Sequence, residues 1–150
     1  MRTFQQWISE YGKSHQNPTN KLIHNICVPL ITFSVVGLLW SLPFPENSYS
    51  FNWGIIFVIA SLVFYFSMNF KIFLGLLVQA LLIFFLCSFF NKARVLLPLS
   101  VIVFVLAWIG QFYGHKIEGK KPSFLTDLVF LLVGPMWVTK ALFDKFGVRL

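Results

Sequence analysis

Hydrophobic and polar positions fall along this chain in long blocks rather than short periods. Four windows, Ile26–Pro45, Phe51–Phe70, Ile72–Phe90 and Val95–Tyr113, are predominantly apolar and contain no charged residue. Each is close to the ~20 residues that an α-helix needs to cross a hydrocarbon core about 30 Å thick. The pattern predicts an all-α polytopic membrane bundle with four transmembrane helices, forming a single membrane domain over residues 1–150. Short polar breaks separate the windows. "PFPENSYSFN" follows the first, "SMNFK" makes a tight hairpin, "NKAR" links the third to the fourth, and "KIEGKKPS" ends the fourth. In the last of these, Gly119 is a helix stop with Pro122 just beyond.

The two flanks read differently. Residues 1–17 are polar apart from Phe4, Trp7, Ile8 and Tyr11, whose spacing predicts an amphipathic surface helix lying in the membrane interface. Asn17-Pro18 is a helix start, asparagine as cap and proline at the first helical position. The first membrane helix therefore begins at Pro18 and crosses from about Ile26, with Pro29 inside it. Near the C-terminus, only 12 uncharged residues lie between Asp127 and Lys140, and Gly134-Pro135 breaks them. That length predicts an interfacial or re-entrant helix over 124–143 in preference to a fifth span.

Composition strengthens the membrane reading. The chain is 57% hydrophobic and 11% charged, and its mean hydropathy of +0.77 exceeds what a soluble domain of this size can bury. The net charge of +7 is spread over loops, which suits membrane anchoring and argues against nucleic-acid binding. Residues 1–25 lack the apolar core of a signal peptide. Arg2, Lys13 and Lys21 precede the first span, Lys116, Lys120 and Lys121 follow the fourth, and only Glu46 charges the first loop. This distribution argues for both termini in the cytoplasm, against the smaller pull of Lys92 and Arg94; it does not separate a bacterial inner membrane, the favoured reading, from an endoplasmic reticulum. Cys27 and Cys87 fall near opposite faces and predict no disulfide. The tryptophans read mostly as interface-belt residues, and Gln79 as a hydrogen-bonding residue within the bundle.

The candidate chemistry lies in the histidines. His15 and His24 precede the first crossing and His115 follows the fourth, so an even number of crossings returns all three to one face at similar depth. Asn20 and His24 are four apart, and Gln111, His115 and Glu118 are four and three apart, each set a helical stripe. His15 can fold over both. Imidazole is a preferred ligand for zinc, iron, copper and nickel, and bound histidines usually need outer hydrogen-bond partners. Two or three histidines with one carboxylate and open positions is the pattern of a non-haem Fe(II) oxygenase.

Plainer roles fit each residue alone. His115 can favour a helix dipole, His24 can reach toward interfacial water and His15 can be solvated. Asn17 can be a cap only, Glu118 can neutralise Lys120 or Lys121, and those lysines can be membrane anchors. A transporter or adaptor is the competing class, although no ionisable residue lies mid-membrane in the four spans. A bis-histidine haem site on His24 and His115 is another alternative. A di-iron hydroxylase site needs about eight ligands, more than three histidines supply, and the His-Glu-x-x-His of zinc proteases is absent.

Two motifs carry a resemblance. Tyr11-x3-His15-x-Asn17-x2-Asn20-x3-His24-x4-Pro29 and Trp108-x2-Gln111-Phe112-x-Gly114-His115-x2-Glu118-x3-Pro122 closely resemble the yeast 2-hydroxy fatty acid dioxygenase family. "GPMWVTKALF" resembles its C-terminal segment, so the likeness spans nearly the whole chain. The resemblance implies an Fe2+-dependent dioxygenase that shortens a 2-hydroxy fatty acid by one carbon with O2, in fatty acid α-oxidation beside membrane lipid. It implies His15, His24 and His115 as the iron ligands, with Glu118 as a further catalytic candidate. Tyr11, Asn17, Asn20, Gln111, Lys120 and Lys121 become candidates for outer partners or substrate contacts. Cys27 stands where the resemblance leads one to expect glycine.

Overall fold

The computed structural model describes residues 2–44, 51–148 and 150, and every regular element among them is helical. In chain order these are α1 (Phe4–Gly12), α2 (Pro18–Trp40), α3 (Trp53–Met68), α4 (Phe70–Lys92), α5 (Leu96–Glu118), a 3-10 turn at Ser123–Leu125, and α6 (Phe130–Lys145). By length and composition α2, α4 and α5 can each cross a membrane, whereas α3 is apolar but has 16 residues. At 1.5 Å per residue α3 is ~24 Å long. Most of the loop predicted after the first span, Glu46 included, lies outside the described residues.

Local chemistry sets the helix ends. The Asn17 side chain accepts from the Thr19 and Asn20 amides, and Pro18 occupies the first turn of α2, as the Asn-Pro pair predicts. Asn69 alone joins α3 to α4, its side chain accepting from the Lys71 and Ile72 amides at 3.0 and 3.1 Å. α5 stops where Gly119 turns left-handed at φ 70°, a conformation that costs glycine little.

α2 and α5 form the most extensive helix pair, and small residues let their backbones approach. A Cβ added at Gly114 would sit 2.4 Å from Asn20 Oδ1, and one at Gly110 would sit 2.7 Å from Cys27 Sγ. Further along, a Cβ at Gly37 would meet Ser100 Oγ at 2.1 Å. Small side chains at such contacts are how apolar helices pack closely without a hydrophobic drive between them. The result is that the start of α2 and the end of α5 lie side by side.

Two expectations need correction. The predicted stripe of α1 is present, with Phe4, Trp7, Ile8 and Tyr11 all buried, but it packs on α6 instead of facing lipid. Trp7 meets Phe130 edge-on at 5.2 Å and Tyr11 meets Trp137 at 5.8 Å. Periodicity specifies a buried face and not the partner that buries it. Nor does Gly134-Pro135 interrupt α6, which is one helix across the pair. A proline in a helix removes one hydrogen bond, and the packing of α6 on α1, α2 and α4 holds the helix through it. Both cysteines are free and buried, as predicted.

Candidate metal centre

His24 lies on the second turn of α2, His115 on the last turn of α5, and His15 in the link between α1 and α2. The close α2–α5 contact brings the first two together, and α1 lays the third across them. Ring centroids lie 4.2 Å apart for His15 and His24, 4.9 Å for His24 and His115, and 5.1 Å for His15 and His115. One ring nitrogen from each lies within 4.8 Å of the others, and all three residues are buried. Among the described residues, the group contains no carboxylate or cysteine.

The hydrogen bonds select the tautomers. His15 Nδ1 donates to the Tyr11 carbonyl at 2.7 Å and His24 Nδ1 donates to the Asn20 carbonyl at 3.0 Å. A carbonyl only accepts, so both Nδ1 atoms carry the proton and both Nε2 lone pairs are free, the form in which neutral histidine binds a metal. Burial pushes the His15 imidazole down to about 4, and nearby His115 adds to the effect, while the bond to Tyr11 and the Glu118 carboxylate oppose it. His15 is therefore neutral at pH 7.

Two atoms of the cluster are orphaned. His15 Nε2 and His115 Nδ1 are buried with no hydrogen-bond partner, a state that proteins ordinarily avoid. Three buried imidazoles that each bring one ring nitrogen within reach of a common point fit a divalent transition metal. The residues present therefore suit a metal ion, with His15, His24 and His115 as its holders.

Around this trio the remaining candidates separate by role. Tyr11 stacks on His15 with centroids at 4.1 Å and planes 14° apart, and burial keeps its phenol protonated by raising its pKa. Asn17 caps α2, as above. Asn20 offers its carbonyl to His24, and its side-chain amide donates to the Glu118 carboxylate at 3.0 Å and the Ser14 carbonyl at 3.3 Å. Gln111, Tyr11, His24 and His115 share the wall of a cavity of about 50 Å³, room for a small head group.

Glu118 faces the start of α2. Its two oxygens accept from the Gln16 and Asn17 amides at 2.8 and 2.9 Å, besides Asn20. An anion at these orphan amides is favoured by both hydrogen bonding and the helix dipole. Lys120 donates its ammonium to the Lys13 carbonyl, tying the end of α5 to the end of α1. Lys121 is exposed.

Glu118→Ala should unfasten this clasp without removing a member of the trio. Outer partners of metal sites are typically worth 10–100-fold in affinity, and a loss in that range is expected in a competition titration against a chelator. Glu118→Gln, which keeps an acceptor, should lose less. Equal affinity in Glu118→Ala and wild type would rule out the clasp as a support of the site.

Two tryptophans stand at the site. Trp137 packs 5.4 Å from the His15 ring, and Trp108 lines the cavity with Phe124 edge-on at 4.8 Å. Trp108 opens the second motif and Trp137 lies in the C-terminal GPMWVTKALF stretch, and that position marks them where residue type alone does not.

Comparison with known proteins places the chain in a family. No solved structure matches the chain. The 2-hydroxy-palmitic acid dioxygenase MPO1 of Saccharomyces cerevisiae is 29% identical over 141 residues, covering 91% of this chain and 78% of the yeast protein. The family model described as 2-hydroxy-palmitic acid dioxygenase Mpo1-like matches residues 1–146. With a match over nearly its full length, the chain belongs to the Mpo1-like family of 2-hydroxy-palmitic acid dioxygenases.

Proposed function

We propose that this protein is an Fe(II)-dependent dioxygenase that shortens 2-hydroxy fatty acids by one carbon with O2. The observation that carries the proposal is the buried trio of His15, His24 and His115, two of whose ring nitrogens lack any partner, in a chain of this family. A bound Fe2+ would supply Lewis acidity and the capacity to activate oxygen. Three protein ligands leave positions for substrate and O2, and the neighbouring carboxylate and hydroxyl of a 2-hydroxy acid are paired oxygen donors.

The chain's own residues do the positioning. Asn20 and Tyr11 carbonyls orient His24 and His15, and the Glu118 clasp holds the start of α2 against the end of α5. Tyr11 and Gln111 offer polar groups to the substrate head at the cavity wall, and exposed Lys121 is the candidate for attracting its carboxylate. Aromatic packing by Trp137, Phe130 and Phe124 excludes bulk water. Glu118 acts in this reading as a positioning residue.

The same proposal sets the chain in the membrane with four crossings, α2 to α5, and both termini cytoplasmic. The short α3 crosses with local thinning or with its flanking residues completing the span. The histidines then lie at the membrane surface, where an acid with a polar head and a hydrocarbon tail presents its head.

Detergent-purified, iron-loaded protein is expected to consume one O2 per 2-hydroxyhexadecanoate and release pentadecanoate, identified by mass spectrometry, with the carboxyl carbon leaving as CO2 and the remaining oxygen as water. Hexadecanoate, which lacks the hydroxyl, should not react. Iron-loaded protein that turns over neither substrate would overturn the proposed activity.

A further inference from the structure

A cavity among the helices adjoins the histidine site. It measures about 410 Å³, inside the roughly 300–1,000 Å³ range of ligand pockets, and α2 to α6 all contribute to it. Ile31, Thr32, Trp108 and Leu131 belong both to its wall and to that of the small cavity beside His24 and His115. The two spaces are therefore adjacent, with these four side chains between them.

The wall is mostly apolar. Among the described residues no charged residue lines it, and Tyr65, Gln79 and the Trp108 indole are polar members besides Thr32 and Ser61. Thr32 and Ser61 donate their hydroxyls to the carbonyls of Val28 and Phe57 on their own helices, which leaves carbon facing the space. Its depth is also informative. From His24 to Val35, the deepest α2 residue of the wall, the helix rises ~16 Å at 1.5 Å per residue. That is about half of a ~30 Å hydrocarbon core, the length that one lipid tail fills.

We infer that this cavity is an acyl-chain channel, which receives the unbranched tail of the acid while its carboxylate end stays at the histidines. The inference rests on the reading of the site as one for 2-hydroxy fatty acids. In this reading Trp108, which stands between the two spaces, forms part of the passage that the tail takes. Ser61 on α3 and Ala80 on α4 are the smallest residues of the wall and lie midway along it, so their size sets how long a tail fits.

Ala80→Phe should block the deeper half, and Ser61→Phe does so from the opposite helix. Each methylene kept from apolar burial costs about fourfold in affinity. Exclusion of several should therefore lower kcat/KM for 2-hydroxyhexadecanoate, relative to 2-hydroxyoctanoate, by roughly 100-fold. Retained turnover of the shorter acid shows that the variant is folded. An unchanged ratio in both folded variants would overturn the channel and leave the dioxygenase reading standing.

Photocrosslinking tests the channel without turnover. A 2-hydroxyhexadecanoate probe with a diazirine at the tail end should label Phe57, Val58 or Ile83 in wild type, and Ala80→Phe should abolish those labels. Labels confined to outward-facing residues such as Leu81 and Phe85, which are 60% and 67% exposed, would contradict the channel. Internal labels in a protein that turns over no 2-hydroxy acid would support the channel and sink the proposed reaction instead.

Discussion

His24→Ala is expected to abolish turnover and metal binding together, with His15→Ala and His115→Ala doing the same. Removing an outer partner costs roughly 10–100-fold in metal affinity, and losing one of three ligands should cost at least the upper end of that range. The three residues act as one unit, so a double replacement should be hardly worse than a single one, in the way that catalytic groups acting together are non-additive. The fold should survive. The apolar clusters that hold the bundle, such as Val36, Leu96 and Cys87 or Ile72, Leu76 and Met136, contain none of the histidines. Circular dichroism should therefore stay near wild type while steady-state O2 consumption falls to background. Independent, partial losses from each single replacement would mean that the trio is not one centre.

The second large effect is expected at a residue that touches no substrate. Gly114→Ala puts a methyl 2.4 Å from Asn20 Oδ1, closer than real side-chain contacts come. Forcing an extra carbon into packed structure costs about 1–3 kcal/mol. Here the group that must yield is the Asn20 side chain, whose amide holds Glu118 and the Ser14 carbonyl, on the residue whose own carbonyl binds His24. Thermal stability and metal affinity should therefore fall together. Gly119→Ala is the comparison, since nothing lies within 4 Å of an added Cβ there. It should cost on the order of 1 kcal/mol through the left-handed backbone and leave metal affinity alone. Gly114→Ala protein with wild-type metal affinity would show that the close α2–α5 approach does not build the site.

Much of the site was legible because parity and helical spacing are properties of sequence. An even number of apolar windows brings His24 and His115 to one face, and the four-residue steps from Asn20 and Gln111 place their neighbours. The Asn17-Pro18 start and the Gly119 stop follow from backbone chemistry that few other residues supply. Other features depend on tertiary contacts that periodicity does not encode. The α1 stripe predicted burial, yet lipid and α6 are equally apolar partners. Glu118 shares a stripe with His115, which suits a metal ligand and a helix clasp alike. What separates these roles is the set of backbone amides at the start of α2, and an amide has no letter in the sequence. The role of Gly110 and Gly114 is likewise set by what stands opposite them. The large cavity was invisible for the same reason, since its wall collects residues from five helices.

The claim at the centre of this account is that His15, His24 and His115 together hold one iron per chain. Metal content per chain tests it most directly, on tag-free protein purified in detergent and loaded anaerobically with Fe2+, beside the three alanine variants. Close to one iron per wild-type chain is expected, with loss of it in each variant. Iron-free wild type, or iron retained by all three variants, would contradict it.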